Sequence, residues 1–186
     1  MSEIDRFDPF NNRLCRNVRN ALCEGFKDAL KDRALQPVNR TANFFLNGNL
    51  AAVVRDYIEK RMPAYEGVLA DLRDCPADDP LDIAPRIFNR RLFFETHEYL
   101  EPFWLAAEGD EKSLLQALIR AAGTYVHLEQ GNRSAARRIA AKALQGIEQH
   151  RQRLTPHFDP QLLIDKLRSL DPDPPRLSPS RQHPVC

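Results

Sequence analysis

The chain has 186 residues, 28% of them charged, and a formal net charge of +1. That length suits one large domain, or a domain with an extension, and allows a real core to be buried. The apolar runs are too short to cross a membrane, and no basic field or acidic tail stands out. The expectation is therefore no membrane and no nucleic acid as partner.

The periodicity is helical throughout, with no alternating stretch bounded by hairpin turns. Asp8-Pro9 has the form of an N-cap with proline at the first helical position. Leu14, Val18, Leu22, Phe26, Ala29 and Leu30 then mark one face of a long first helix ending before Pro37. Thr41 to Leu46 reads as a short helix broken at Asn47-Gly48. Leu50 to Lys60 forms another, and Pro63 starts one reaching Leu72. Residues 74–85, rich in Asp and Pro, read as a linker between an N-terminal helical region (1–73) and a helical bundle (86–170). In the bundle the spacing predicts helices over Arg86 to Ala107, Glu111 to Gln130 and Ser134 to Leu154, and a short one from Asp159-Pro160 to Leu170. The last sixteen residues, 171–186, hold five prolines and are expected to be a disordered tail. The fold class is thus all-α, an antiparallel bundle with an N-terminal helical extension.

The cysteines are Cys15, Cys23, Cys75 and Cys186. Cys15 and Cys23 share a helix and lie about 12 Å apart at the helical rise, too far to bridge. No CxxC pair exists, and residues 1–8 are acidic and polar, unlike a signal peptide. A reducing, cytoplasmic location is the expectation.

Phe88 to Trp104 concentrates the chemistry. A continuous helix here would be apolar on most sides, yet it carries Glu95, His97, Glu98 and Glu101. Buried charge is costly unless paired or ligated, so a functional group belongs here. On a helical wheel His97 and Glu101 lie about 40° apart at the core border, with Glu98 about 100° from His97. Pro102 would leave the Glu98 carbonyl without its helical donor. On the next helix Gln116, Arg120, Gly123 and His127 form a second polar stripe. Folding the two helices antiparallel about Gly109 brings Arg120 near Glu101 and Gly123 beside His97. If the stripes face, His97, Glu101, Gln116, Arg120 and His127 line a pocket walled by Phe94 and Trp104.

Histidine and glutamate at i, i+4 are a spacing that holds a metal, with His97 and Glu101 as ligands and Glu98 as base. In that reading His97 and Glu98 are catalytic, Glu101, Trp104, Gln116, Arg120 and His127 bind ligand, and the cofactor is a divalent metal. The same residues also suit a buried polar network that fixes helix register. The di-iron ExxH pattern is missing, because Phe94 and Thr124 precede the two histidines by three. No nucleophile elbow or phosphate-binding glycine loop occurs. His150, His157 and His183 read as surface residues. Arg133, Arg137, Arg138, Lys142, Arg151 and Arg153 lack an aromatic stacking platform and read as a solvated face.

Phe88-Asn89, Phe94-Glu95-x-His97-Glu98-x-Leu100-Glu101-x-x-Trp104, Leu115-Gln116-x-Leu118-Ile119, and His127 with Gly131-Asn132 resemble the family called domain of unknown function 309. The resemblance covers about residues 86–150. It implies a small all-helical bundle without an established activity, with Glu95, His97, Glu98, Glu101, Trp104, Gln116 and His127 among its characteristic positions. Ala117 stands where that family usually has glycine, which implies a looser helix contact there. A weaker echo links Phe45 to Ala52 with Leu128 to Ala136, both similar to tetratricopeptide-type turns; they read as tight helical hairpins.

Two functions follow. One is a His/Glu pocket that binds a small ligand or metal, with hydrolytic chemistry and Arg120 holding an anionic group. The other is a helical protein–protein interaction module presenting Val18, Leu22 and Phe26, its His/Glu cluster structural. The partner is an unknown small ligand or protein, and the oligomeric state stays open.

Overall fold

The computed structural model describes residues 6–178. They form α1 (Arg13–Asp32), α2 (Gln36–Leu46), α3 (Ala52–Asp74), α4 (Pro80–Asn89), α5 (Phe93–Ala106), α6 (Gly109–Glu129), α7 (Arg133–Gln149), α8 (Arg151–Leu154) and α9 (Pro160–Ser169), with no strand among them. The all-α expectation holds. The chain divides into two compact units, Met1–Arg73 and Asp74–Cys186.

In the first unit α1 starts later than Asp8-Pro9 suggests. Asp8 instead closes a separate turn, its carboxylate accepting from the Phe10 and Asn11 amides at 3.0 and 3.1 Å. Asn12 then caps α1, accepting from the Cys15 amide at 3.0 Å. The predicted stripe packs inward from Val18 on, while Leu14 stays exposed. Val18, Leu22 and Phe26 are fully buried, and Phe26 stacks on Tyr65 of α3 at 4.4 Å between ring centroids. These three residues hold the unit together and do not present a face to a partner. Cys15 and Cys23 are buried free thiols, as their spacing requires.

Helix α2 begins at Gln36, with Pro37 in its first turn, where its missing N–H costs nothing. Helix α3 runs through Pro63 without stopping. Val54, Ile58, Tyr65, Leu69 and Leu72 bury one stripe on both sides of the proline, and that burial outweighs the one lost backbone bond.

In the second unit the expected linker is shorter than 74–85. Asp79 accepts from the Leu81 amide at 2.8 Å, Pro80 takes the first helical position, and Leu81, Ile83 and Ala84 are buried. Asp79-Pro80 is a helix start of the same kind as Asp159-Pro160 at α9.

The helix predicted over 86–107 is two helices. Arg91 adopts the left-handed conformation, with φ 57°. The Leu92 amide bonds the Ile87 carbonyl at 3.4 Å and the Arg91 amide bonds that of Phe88 at 2.9 Å. This is a Schellman stop, completed by burial of both Ile87 and Leu92. Glycine normally takes the left-handed position, so an arginine there gives no warning in the sequence. The α6–α7 connection uses the same device with Gly131, φ 73°, as its Gly-Asn pair suggests. Gly48 has no positive φ, so the sequence echo does not repeat in structure.

Helix α5 packs on α4 and α6, α6 on α7, and α7 on α9, around one apolar cluster. Helices α6 and α7 approach closely. A Cβ added at Gly146 would stand 2.6 Å from the Ala117 Cβ. The contact expected to be loose at Ala117 is thus a tight interlock, with the missing methyl on α7.

The tail is not free along its whole length. Leu177 is buried, and its amide and carbonyl both bond the Asn89 side chain, at 2.7 and 2.6 Å. Beyond the Asp171 amide, which bonds the Lys166 carbonyl at 3.1 Å, the segment to Leu177 gains order chiefly from side chains of the bundle, since proline supplies no N–H. Residues 179–186 lie outside the described residues, so the expectation for them stands apart.

Gly146→Ala should lower stability by about 1–3 kcal/mol through overpacking, less up to about 1 kcal/mol returned by helix propensity. A urea-denaturation cycle with Ala117→Gly should show the two changes coupled by about 1 kcal/mol or more. Additive effects would mean that the helices do not interlock there.

Candidate metal centre and the second histidine cluster

Helix α5 carries its charge in two environments. Glu95 is fully buried, and Thr96 beside it returns its hydroxyl to the Leu92 carbonyl at 2.8 Å. One turn on, His97, Glu98 and Glu101 are each half-buried. One ligand atom from each lies within 4.8 Å of the other two. The nearest Glu98 oxygen is 3.3 Å from His97 Nδ1. The Glu98 Cα projects away from His97 on the helix, but its long side chain folds back around the turn.

That 3.3 Å approach is an ion pair only when the ring is protonated. It is not aligned as a hydrogen bond, and the buried Nδ1 has no hydrogen-bond partner among the described residues. A buried ring nitrogen left without a bond is costly, and ligation is one remedy. Glu101 forms no hydrogen bond or ion pair among the described residues. Its carboxylate is likewise available. Helix α5 continues through Pro102 to Ala106.

The α6 stripe does not pair with Glu101 as the sequence suggests. Arg120 makes no ion pair with Glu101, and Gln116 forms no side-chain hydrogen bond among the described residues. The expected approach of Gly123 to His97 is absent too. A Cβ at Gly123 would meet Ile139 of α7, at 3.9 Å. His127 also feels α7. Burial lowers its pKa from the ordinary 6.5, and the Arg138 charge lowers it further. The wheel placed these residues on one stripe correctly. In the fold α6 sets Gly123 against α7 rather than against His97. Trp104 is half-buried, with the Lys112 ammonium 5.5 Å over its ring and its indole N–H buried without a hydrogen-bond partner.

A second cluster, Asp79, Asp82 and His157, has the same compactness, within 4.8 Å. Sequence reading placed His157 on the surface. It is mostly buried and bonds Asp82 through Nδ1 at 2.6 Å. Asp79 already caps α4. These groups are spent on each other, tying the start of α4 to the turn after α8. The Asp79-x-x-Asp82 spacing at a helix start was the only available sign. His150, also expected at the surface, is 5% exposed. His183 lies outside the described residues.

The His127 ring should titrate below 6.5 in a histidine NMR series. As pH falls through 6.5 the unfolded chain takes up this proton before the folded one, so the native state loses stability until the lowered folded pKa is passed. Above 6.5 that penalty is absent. His127→Gln should flatten this part of the Tm–pH curve, and an imidazole titrating at or above 6.5 would refute the burial argument.

Among the described residues no helix is long and apolar enough to cross a membrane. No curated protein and no solved structure matches the chain. Residues 81–139, from α4 into α7, match the family model described as Domain of unknown function (DUF309), and His97, Glu98 and Glu101 lie within the matched stretch.

Proposed function

We propose that the second unit binds a divalent cation through His97, Glu98 and Glu101 and that this centre supports hydrolytic chemistry. What carries the reading is the unspent His97 Nδ1, gathered with two carboxylates inside 4.8 Å. One imidazole and two carboxylates suit zinc, manganese or iron rather than calcium or magnesium. Three protein ligands leave a coordination position for water, the form taken by catalytic rather than structural metal sites. The half-exposed side chains of His97 and Glu98 keep that position open to solvent. Glu98, whose carboxylate lies 3.3 Å from the ring, is the group to exchange ligation for proton transfer. Arg120 and Gln116, free of other bonds, remain available to a ligand from α6.

Support for cation binding over a purely structural network comes from the bonds left unmade at His97 Nδ1 and at the Glu101 carboxylate. A network that fixes register would be internally satisfied, as the Asp82–His157 pair is.

Titration calorimetry of tag-free protein with Zn²⁺ and Mn²⁺ should give about one ion per chain, by the three-ligand count of a single centre. His97→Ala and Glu101→Gln should abolish that binding with the helical melt little changed. Asp82→Asn, at the other cluster, should leave it intact. Absence of binding, or binding that survives His97→Ala, would sink the proposal.

A further inference from the structure

The segment after α9 is held by the second unit as a receptor holds an extended peptide. Asn89 donates from Nδ2 to the Leu177 carbonyl at 2.6 Å and accepts at Oδ1 from the Leu177 amide at 2.7 Å. Both main-chain groups of one residue are read by one side chain. This is the two-point contact of a strand rung, and it is indifferent to the residue's identity. Identity is read beside it. The Leu177 side chain is buried in the cluster that holds Phe88, Phe93 and Tyr125. Those three rings pack on one another at 4.9–5.3 Å between centroids.

Four residues before Leu177, the Asp173 carboxylate lies 3.7 Å from the Arg91 guanidinium. Arg91 also donates to the Pro172 carbonyl at 3.4 Å. Between these anchors stand Pro174 and Pro175, which donate no N–H and favour an extended path. An acidic anchor, a proline spacer and an aliphatic anchor are thus matched by Arg91, the Asn89 grip and the apolar cluster.

Two observations separate the groove from the segment in it. The Tyr125 hydroxyl is buried among these rings and has no hydrogen-bond partner among the described residues. The resident segment therefore leaves a buried donor unspent, which a better-fitting chain with a polar group at that point would use. Further, Asn89, Arg91, Phe93 and Tyr125 all fall within the family match at 81–139, whereas 171–177 falls outside it.

We propose that this groove is a peptide-docking site. Residues 171–177 are its resident, exchangeable occupant. Its partner is an extended segment of another protein with a carboxylate four residues before an aliphatic side chain and proline between them.

The test uses the full chain. Leu177→Asp should expel the segment while leaving the groove intact; Asp173→Ala with Leu177→Ala is the milder release if circular dichroism shows lost helix. The probe is a fluorescein-labelled peptide of residues 168–178, read by anisotropy. A released chain should bind it at least about tenfold more tightly than wild type, because the binding-competent fraction rises. Adding Asn89→Ala to the released chain should abolish binding, and a peptide with Leu177→Asp should not bind. No binding to either released chain, or binding indifferent to Asn89→Ala, would overturn the proposal and make the segment a fixed part of the fold. A wild-type dimer that the peptide dissociates would also overturn it, by giving the groove to a second copy of this chain.

Discussion

The left-handed turn at Arg91 is the constraint on which the rest of the second unit depends. It ends α4 so that Asn89 and Arg91 face the incoming segment 171–177. It restarts the chain at Phe93, so that α5 takes its own direction and carries His97, Glu98 and Glu101. A continuous helix would have placed Asn89 and His97 on one rod with a fixed angle between them. Holding a non-glycine residue at φ 57° costs about 1–2 kcal/mol. Burial of Ile87 and Leu92 across the turn offsets that, at about 1.5–3 kcal/mol for a fully buried aliphatic side chain. Arg91 is also not idle in this position. Its guanidinium lies 5.7 Å over the Phe93 ring as well as against Asp173 and Pro172. Glycine would relax the backbone and lose all three contacts.

The two histidine clusters show why compactness alone does not distinguish a site from a strut. Both bring three candidate ligand atoms within the same distance. In one, His157 and Asp82 share a short hydrogen bond and Asp79 serves a helix start, so binding an ion would first break bonds already made. In the other, a ring nitrogen and a carboxylate have no such bonds to lose. A cation at the His97 trio would have fewer existing bonds to displace at His97 Nδ1 and Glu101 than one at the second cluster.

Helix positions with regular burial were legible in the sequence, and so were the stops marked by glycine. The α1 stripe from Val18 to Leu30 and the Gly131-Asn132 turn follow from spacing and from the one residue that freely adopts positive φ. The stop at Arg91 was not legible: it is a left-handed residue of a type that rarely adopts that conformation, held there by the burial of Ile87 and Leu92 across the turn. The stop at Leu170 was read at its place although Leu170 is also left-handed. Membership of the His97 trio was legible from i, i+4 spacing. The close packing of α6 on α7 was not, because it rests on the Ala117–Gly146 contact, and neither residue carries chemistry that draws attention. The ordered start of the tail was hidden for a further reason. Its partners, Asn89 and Arg91, lie more than eighty residues away in the chain.

That separation has a consequence for how the groove is shared. Leu170 is already fixed, its carbonyl accepting from Arg133 at 3.4 Å, so the stretch from Asp171 to Leu177 is a short tether, roughly 20 Å when extended at the polyproline rise. A tether this short presents its far end to the groove at an effective concentration in the millimolar range. A free chain with the same contacts, present at about micromolar levels, would be outcompeted by a factor of about a thousand, or about 4 kcal/mol. The tether thus sets a threshold of affinity for occupancy of the groove, fixed by chain length rather than by any contact in it.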